Sequence, residues 1–230
     1  MIHPNSNSRG FTLIELMLSM AFVGALLVAI AVTSMHIMNT YSKGITIREV
    51  NQVGRTITED LQRTIASTSP FALDSMYVNQ NDIGGRLCTG SYSYVWNYGQ
   101  ELTKEDGTQL HNRYEDSGDR IRLVKVSDAG GALCLVPDEE VKKENAKELL
   151  AAGDRSMAVQ RFDVVAGSQD EASGQALYAI KLAIGTNDQE QLSSALTCKP
   201  PNDGSGTEDF CAINQFNIIA RAGNRSGSLR

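Results

Sequence analysis

The hydrophobic residues of this chain are concentrated near its amino terminus. From Phe11 to Met38 the sequence reads FTLIELMLSMAFVGALLVAIAVTSMHIM, in which Glu15 is the one acidic or basic residue apart from His36. As an α-helix at about 1.5 Å per residue, this run reaches roughly 40 Å, which exceeds the ~30 Å hydrocarbon core of a bilayer. The run is too long for the apolar core of a signal peptide, and no small-residue cleavage pattern follows it. Residues 11–38 are therefore predicted to form a membrane-spanning helix.

The helix is predicted to continue beyond the membrane, because no proline occurs between Pro4 and Pro70. After Tyr41 the pattern becomes amphipathic, and apolar residues recur at steps of three and four, as one helical face requires. These residues are Val50, Val53, Ile57, Leu61 and Ile65. We expect one helix over residues 11–67, whose second half, residues 39–67, buries this stripe against a sheet.

The remaining residues, 71–230, have the pattern of an antiparallel sheet with insertions. Strand-like segments occupy residues 86–96, 120–126, 132–136, 157–165, 176–184 and 211–222. Residues 120–136 and residues 157–184 each read as a hairpin. Residues 137–153 begin with proline, carry acidic residues in the first turn and end in glycine, which predicts a short helix. The fold class is therefore predicted as α+β, with a long amino-terminal helix packed on an antiparallel β-sheet.

The charge of the chain argues against nucleic acid as a partner. The formal net charge is −6, and no basic patch with interleaved aromatic residues is visible. Binding to phosphates requires lysine and arginine. The three histidines, His3, His36 and His111, lie in no recognisable nucleophile motif, so we do not expect an enzyme.

The four cysteines all follow the apolar segment, and none belongs to a C-x-x-C motif. This arrangement favours two disulfides in an oxidising compartment over a zinc site. Three pairings are allowed. We favour Cys88–Cys134 with Cys198–Cys211, because each of these pairs closes a short or moderate loop.

Glu15 is the anomaly of the apolar segment. An ionised carboxylate in lipid costs at least ~2.5–3.5 kcal/mol, so it requires a partner or a function. A position near the helix amino terminus stabilises it through the helix dipole. A free α-amino group would stabilise it further, and such a group would arise if the chain were cut just before Phe11.

The stretch RGFTLIELM, residues 9–17, resembles the prepilin signature of type IV pilins and type II secretion pseudopilins. The resemblance extends over about residues 6–38. It implies that residues 1–10 are a leader peptide, that a prepilin peptidase cuts between Gly10 and Phe11, and that Phe11 is then N-methylated. It also implies that Glu15 neutralises the terminal amine of a neighbouring subunit as the helices assemble into a filament.

The same resemblance implies the partners and the location of the chain. The partners would be other pilin subunits, the prepilin peptidase and the pilus assembly platform in the membrane. The chain would be a single-pass protein of the cytoplasmic membrane before assembly, and part of an extracellular pilus or a periplasmic pseudopilus afterwards. The family fold is pilin-like, with a disulfide often closing a carboxy-terminal loop, as Cys198 and Cys211 would. Many major pilins carry a proline within the apolar half of the helix, and this chain has none there.

Within the family, the size of residues 71–230 favours a minor pilin, because insertions at 97–119 and 137–153 enlarge the domain beyond a typical major subunit. A minor pseudopilin of a type II secretion system is an alternative. A second alternative, from another class, is a monomeric membrane-anchored binding module whose exposed domain recognises a surface or ligand.

Two further clusters have candidate chemistry. Asp203, Ser205, Thr207 and Asp209 alternate in a glycine-containing stretch, a pattern that suits a calcium loop but also suits a solvated acidic turn. Ca²⁺ is the one cofactor that the sequence suggests. Tyr92, Tyr94, Trp96 and Tyr98 form an aromatic cluster for which we favour core packing, while a binding surface for adhesion stays open.

Overall fold

The computed structural model describes residues 12–80, 83–103, 112–136, 139–150, 156–170, 174–193, 196–199 and 211–223. The chain divides into two compact units, Met1–Ser42 and Lys43–Arg230. The fold is α+β, with one long amino-terminal helix and antiparallel sheets, the pilin-like arrangement that the sequence predicts.

The long helix, α1, spans Leu13–Ala66 and agrees closely with the predicted range. Its last turn is tightened by the amides of Ser67 and Thr68, which donate to the carbonyls of Thr64 and Ile65 at 3.1 Å each. Ser67 Oγ donates to the carbonyl of Thr64 at 2.7 Å, and Thr68 Oγ1 donates to the carbonyl of Ile65 at 2.9 Å. The hydroxyl bonds add to these amide bonds at the carbonyls of the last turn, and Pro70 follows.

Short elements and strands follow α1 in the second unit. They are α2 (Leu73–Met76), β1 (Tyr77–Gln80), β2 (Gly84–Cys88), β3 (Tyr92–Asn97), α3 (Gly99–Thr103), β4 (Leu123–Ser127), α4 (Ala132–Leu135), a 3₁₀ turn (Lys143–Asn145), β5 (Ala146–Leu150), β6 (Met157–Asp170), β7 (Gln175–Thr186), a second 3₁₀ turn (Gln189–Gln191) and β8 (Ile213–Ala222).

The strands form two antiparallel sheets rather than the single sheet that we expected. One sheet has five strands in the order β1-β2-β3-β4-β5, and the other has three in the order β6-β7-β8. A parallel bridge between Tyr98 and Val159 joins them. The predicted hairpin over residues 157–184 is confirmed as β6–β7, and residues 211–222 contain the predicted last strand, β8.

The apolar stripe of α1 lies in the main core of this unit, as predicted. Val50, Ile57, Leu61 and Ile65 are at most 1% exposed, and Val53 is partly buried beside them. They belong to one cluster with residues of both sheets, among them Trp96, Phe162 and Leu182. The stripe therefore holds the helix to the sheets, the role that its spacing predicts.

Residues 86–96, predicted as one strand-like segment, belong to the paired strands β2 and β3. Two further predicted elements have the wrong type, and the hairpin predicted over residues 120–136 is absent with the first of them. Residues 132–136, predicted as a strand, contain the short helix α4. Asp128 accepts hydrogen bonds from the amides of Ala132 and Leu133, at 3.0 and 3.2 Å, which fixes the first turn of that helix. The Cys88–Cys134 disulfide ties the helix to β2.

The helix predicted over residues 137–153 is also absent from the part of that range that the structure describes. A 3₁₀ turn at Lys143–Asn145 leads directly into β5, which pairs with β4. The sequence AKELL has good helix formers, but pairing with a strand distant in sequence overrides that local preference.

Candidate functional site

The amino terminus of α1 is closed by a reciprocal pair of hydrogen bonds between Thr12 and Glu15. The Glu15 Oε2 atom accepts from the Thr12 amide at 3.0 Å and from the Thr12 hydroxyl at 2.7 Å. The Glu15 amide in turn donates to Thr12 Oγ1 at 3.4 Å. This is a capping box, in which residue N3 of the helix bonds back to the residue before its first turn.

The capping box explains one part of the Glu15 anomaly. It holds the carboxylate at the positive end of the helix dipole, where a negative charge is stabilised. It engages only Oε2. Among the residues that the structure describes, no group donates to Oε1, although an ionised carboxylate accepts through both oxygens. The geometry therefore leaves acceptor capacity for a further cation.

The part of α1 that lies in the first unit, which carries Glu15, is apolar and unburied. An 18-residue window of α1 has a mean hydropathy of 2.5 with none of it buried, so the helix is long and apolar enough to cross a membrane. Its exposed large side chains in this unit are Leu13, Ile14, Leu16, Met17, Leu18, Met20, Phe22, Val23, Leu26, Leu27, Val28, Ile30, Val32, Met35, Ile37, Met38 and Tyr41. This surface is consistent with a single-pass membrane anchor.

Three hydroxyl groups in or next to this apolar run bond to carbonyls of their own helix. Ser19 Oγ donates to the carbonyl of Leu16 at 2.8 Å, Thr33 Oγ1 to that of Ala29 at 2.8 Å, and Thr40 Oγ1 to that of His36 at 3.0 Å. Polar groups bonded within their own helix carry little penalty in lipid. Glu15 is the one acidic side chain of residues 12–35, and its Oε1 atom still has acceptor capacity for an external partner.

Gly10 and Phe11, the predicted cleavage and methylation positions, lie outside the described residues. So do Asp203, Ser205, Thr207 and Asp209 of the predicted calcium loop. Among the described residues there is no group of three or more His, Cys, Asp or Glu side chains that could hold a metal ion. The calcium loop therefore stays a prediction.

The structure contains the two disulfides in the favoured pairing. Cys88–Cys134 joins β2 to α4, with the Cα atoms 6.1 Å apart. Cys198–Cys211 closes the segment before β8, with the Cα atoms 5.8 Å apart. This second bond lines a cavity whose other lining residues include Lys43, Arg161 and Lys199.

The aromatic cluster on β3 lies mainly in the core. Tyr94 and Trp96 are fully buried, Tyr98 is nearly so, and Tyr92 is 40% exposed. The Trp96 ring stacks on Phe162 with 4.2 Å between the ring centroids. Core packing is therefore the role of three of the four aromatic residues.

Sequence reasoning missed a charged network that ties α1 to the five-stranded sheet. Lys125 Nζ donates to Asp60 Oδ2 at 3.0 Å and to Thr64 Oγ1 at 2.6 Å. The Tyr94 hydroxyl donates to the same Asp60 oxygen at 2.7 Å. Burial is the main cause that raises the pKa of Tyr94 above its usual value, so this hydroxyl stays a donor at physiological pH. No sequence signal joins Asp60 to Lys125, because 65 residues separate them.

A scan against protein-family models found no match to this chain. Searches of curated proteins and of solved structures found no significant match either.

Proposed function

We propose that this chain is a structural subunit, and by its size a minor pilin, of a type IV pilus. It is cut by a prepilin peptidase after Gly10 and held in the cytoplasmic membrane by the first half of α1. It then assembles into an extracellular filament through that helix. The observation that carries the proposal is Glu15, a half-engaged carboxylate at the start of an unburied apolar helix.

The chemistry of assembly follows from that carboxylate. Cleavage before Phe11 creates an ammonium group two residues before the helix start. Glu15 Oε2 stays bonded to Thr12, while Oε1 accepts from the ammonium of a neighbouring subunit. Each charge has a partner only when subunits adjoin, so the ion pair favours the filament over the isolated chain in lipid. A buried pair of this type specifies register more than it contributes stability.

The test separates the two roles of Glu15. Glu15→Gln keeps an oxygen acceptor at the third helical position, so the capping box persists, but the charge is lost. Glu15→Ala removes both. We expect both variants to be processed at Phe11, to stay in the membrane and to be depleted from sheared filaments. Thr12→Ser, which keeps the capping hydroxyl, is the matched control and should assemble normally.

Assembly of Glu15→Gln at the wild-type level, together with failure of Glu15→Ala, would reduce Glu15 to a helix cap and would contradict the proposal. Normal assembly of both variants would contradict it equally.

A minor pseudopilin of a type II secretion system shares the same processing and helix chemistry, and the location of the filament distinguishes it: periplasmic rather than extracellular. The second candidate is a monomeric membrane-anchored binding module. The cavity beside the Cys198–Cys211 disulfide favours it, because Lys43, Arg161 and Lys199 make its lining cationic. A chain that keeps Met1 and never leaves the membrane would support this second candidate.

A further inference from the structure

The three-stranded sheet carries an exposed apolar row on its outward face. Val165 on β6, Ala179 on β7 and Ile219 on β8 are direct cross-strand neighbours. The side chains of Val165 and Ile219 are 60% and 68% exposed. Val164 and Ile218, the residues that precede them, face the core on the opposite side of the sheet, as strand alternation requires.

Two basic side chains flank this row. Lys181 lies two residues along β7 from Ala179, and Arg221 lies two residues along β8 from Ile219, opposite Leu177. Both therefore share the face of the apolar row. Both are exposed, and neither forms an ion pair or hydrogen bond with another residue that the structure describes. The acid opposite Lys181 on β6, Asp163, is bonded to Arg161. We call Val165, Ala179, Ile219, Lys181 and Arg221 the sheet patch, which is basic although the chain is acidic.

A second exposed apolar group lies at the end of α4. The side chains of Leu135 and Val136 are 61% and 52% exposed. Glu139 and Glu140 follow them and are also exposed, and their carboxylates pair with no group in the described part of the chain. We call these four residues the α4 patch. It is apolar and acidic, whereas the sheet patch is apolar and basic.

The α4 patch is held in place by a buried arginine. The guanidinium of Arg86 donates to the carbonyls of Leu133 at 2.7 Å, Val136 at 3.2 Å and Glu139 at 2.9 Å. The Cys88–Cys134 disulfide fixes the same segment to β2. Because these bonds already order the backbone of the patch, little conformational entropy is lost when a partner docks there.

We propose that the sheet patch of one copy of this chain binds the α4 patch of a second copy. The contact places apolar residues against apolar residues, and Lys181 and Arg221 against Glu139 and Glu140. The sheet patch meeting itself would bring like charges together, so a symmetric dimer through either patch is disfavoured. A contact between two different patches does not close on itself, so each copy of a linked pair keeps one patch free.

This inference extends the proposed function and rests on it, because the proposed function brings several copies of the chain together through their helices. Each patch has only a few residues, fewer than the roughly 20–30 residues a side of a stable independent interface. Helices anchored in one membrane hold the copies at a high effective concentration, which makes a small contact effective. The two patches then specify which copies adjoin, while the helices supply most of the affinity.

The test uses full-length chains in their own membranes. All four native cysteines are in disulfides, so a cross-link between two copies can be assigned to the introduced cysteines. Ile219→Cys and Leu135→Cys copies are expressed together and oxidised briefly. We expect a disulfide-linked dimer in this mixture at about fivefold the yield of either variant alone, because the contact joins unlike patches. Ile219→Cys with Lys147→Cys, an exposed position on β5 outside both patches, is the matched control.

Charge reversal provides a second readout. Lys181→Glu in the Ile219→Cys copy should lower the cross-link yield about fivefold, since like charges then face each other. Glu140→Lys in the Leu135→Cys copy should restore it. Lys147→Glu should change nothing.

Equal yields from the mixed pair, the single variants and the Lys147→Cys control would overturn the contact. Filaments with processed Phe11 termini but no cross-link would reject this contact and leave the proposed function standing. Chains that keep Met1 would reject the pilin proposal whatever the cross-link shows.

Discussion

The ammonium of Lys125 on β4 lies 3.0 Å from the Oδ2 atom of Asp60 on α1. The two side chains are 15% and 26% exposed, so the pair is largely shielded from water. The ammonium also lies over the ring of Tyr92, 4.6 Å from its centroid. This network binds the amphipathic half of the helix to the five-stranded sheet at a point that the apolar stripe does not cover.

Lys125→Met should therefore destabilise the domain. The carboxylate of Asp60 would keep the Tyr94 hydroxyl but lose its only described cation, and we expect the free energy of unfolding to fall by about 1–3 kcal/mol. The measurement is thermal unfolding of the full chain in detergent. Asp60→Asn combined with Lys125→Met should cost less than the sum of the two single changes. A loss no larger than that of Lys142→Met, an exposed lysine that is not a cross-strand partner of Lys125, would contradict the assigned role.

Two glycines on α1 should respond in opposite directions to alanine. A Cβ atom at Gly54 would overlap the ring of Phe216, whereas one at Gly44 would meet nothing within 4 Å. Gly54→Ala should lower the free energy of unfolding by about 1–3 kcal/mol, because the ring on β8 must move. Gly44→Ala should raise it by up to about 1 kcal/mol through helix propensity. Unfolding midpoints that shift in the same direction would show that Phe216 does not pack against Gly54.

Elements that depend on local sequence patterns could be predicted, whereas elements fixed by contacts between distant residues could not. The helix and its stripe followed from spacing alone, and the β6–β7 hairpin followed from alternation. The Thr12–Glu15 capping box is also readable from the T-x-x-E spacing, although we interpreted Glu15 only through the helix dipole and a partner charge. The strand predicted over residues 132–136 was wrong because Asp128, Cys88 and Arg86 fix that backbone from outside the segment. No local sequence pattern indicates these contacts.

The two disulfides should contribute unequally to stability. Cys88 and Cys134 are 46 residues apart in sequence, and Cys198 and Cys211 are 13 apart. In the loop-entropy description, the first contributes about 4 kcal/mol and the second about 3 kcal/mol. Replacing Cys88 and Cys134 together by serine should therefore lower the unfolding midpoint more than replacing Cys198 and Cys211. The reverse order would show that the loop-entropy argument fails here.

Alkaline pH should weaken the domain through a partly buried tyrosine, Tyr77. Burial is the main cause that raises the pKa of Tyr77 to about 12, against about 10 in an unfolded chain. A group whose pKa is raised by folding stabilises the fold below the unfolded pKa, and that contribution is lost as the pH rises from about 10 to about 12. Tyr77→Phe should flatten this decline in unfolding midpoint, whereas Tyr41→Phe serves as the control for loss of one hydroxyl. An unchanged slope in Tyr77→Phe would contradict the assignment.

The amino terminus of the chain in its native cells tests the central claim most directly. Intact mass and amino-terminal sequencing are carried out separately on the sheared filament fraction and the membrane fraction. We predict a chain that begins at N-methylated Phe11 in the filaments. An unprocessed Met1 terminus, found in membranes alone, would contradict the account, because the unburied apolar helix would then be a plain anchor.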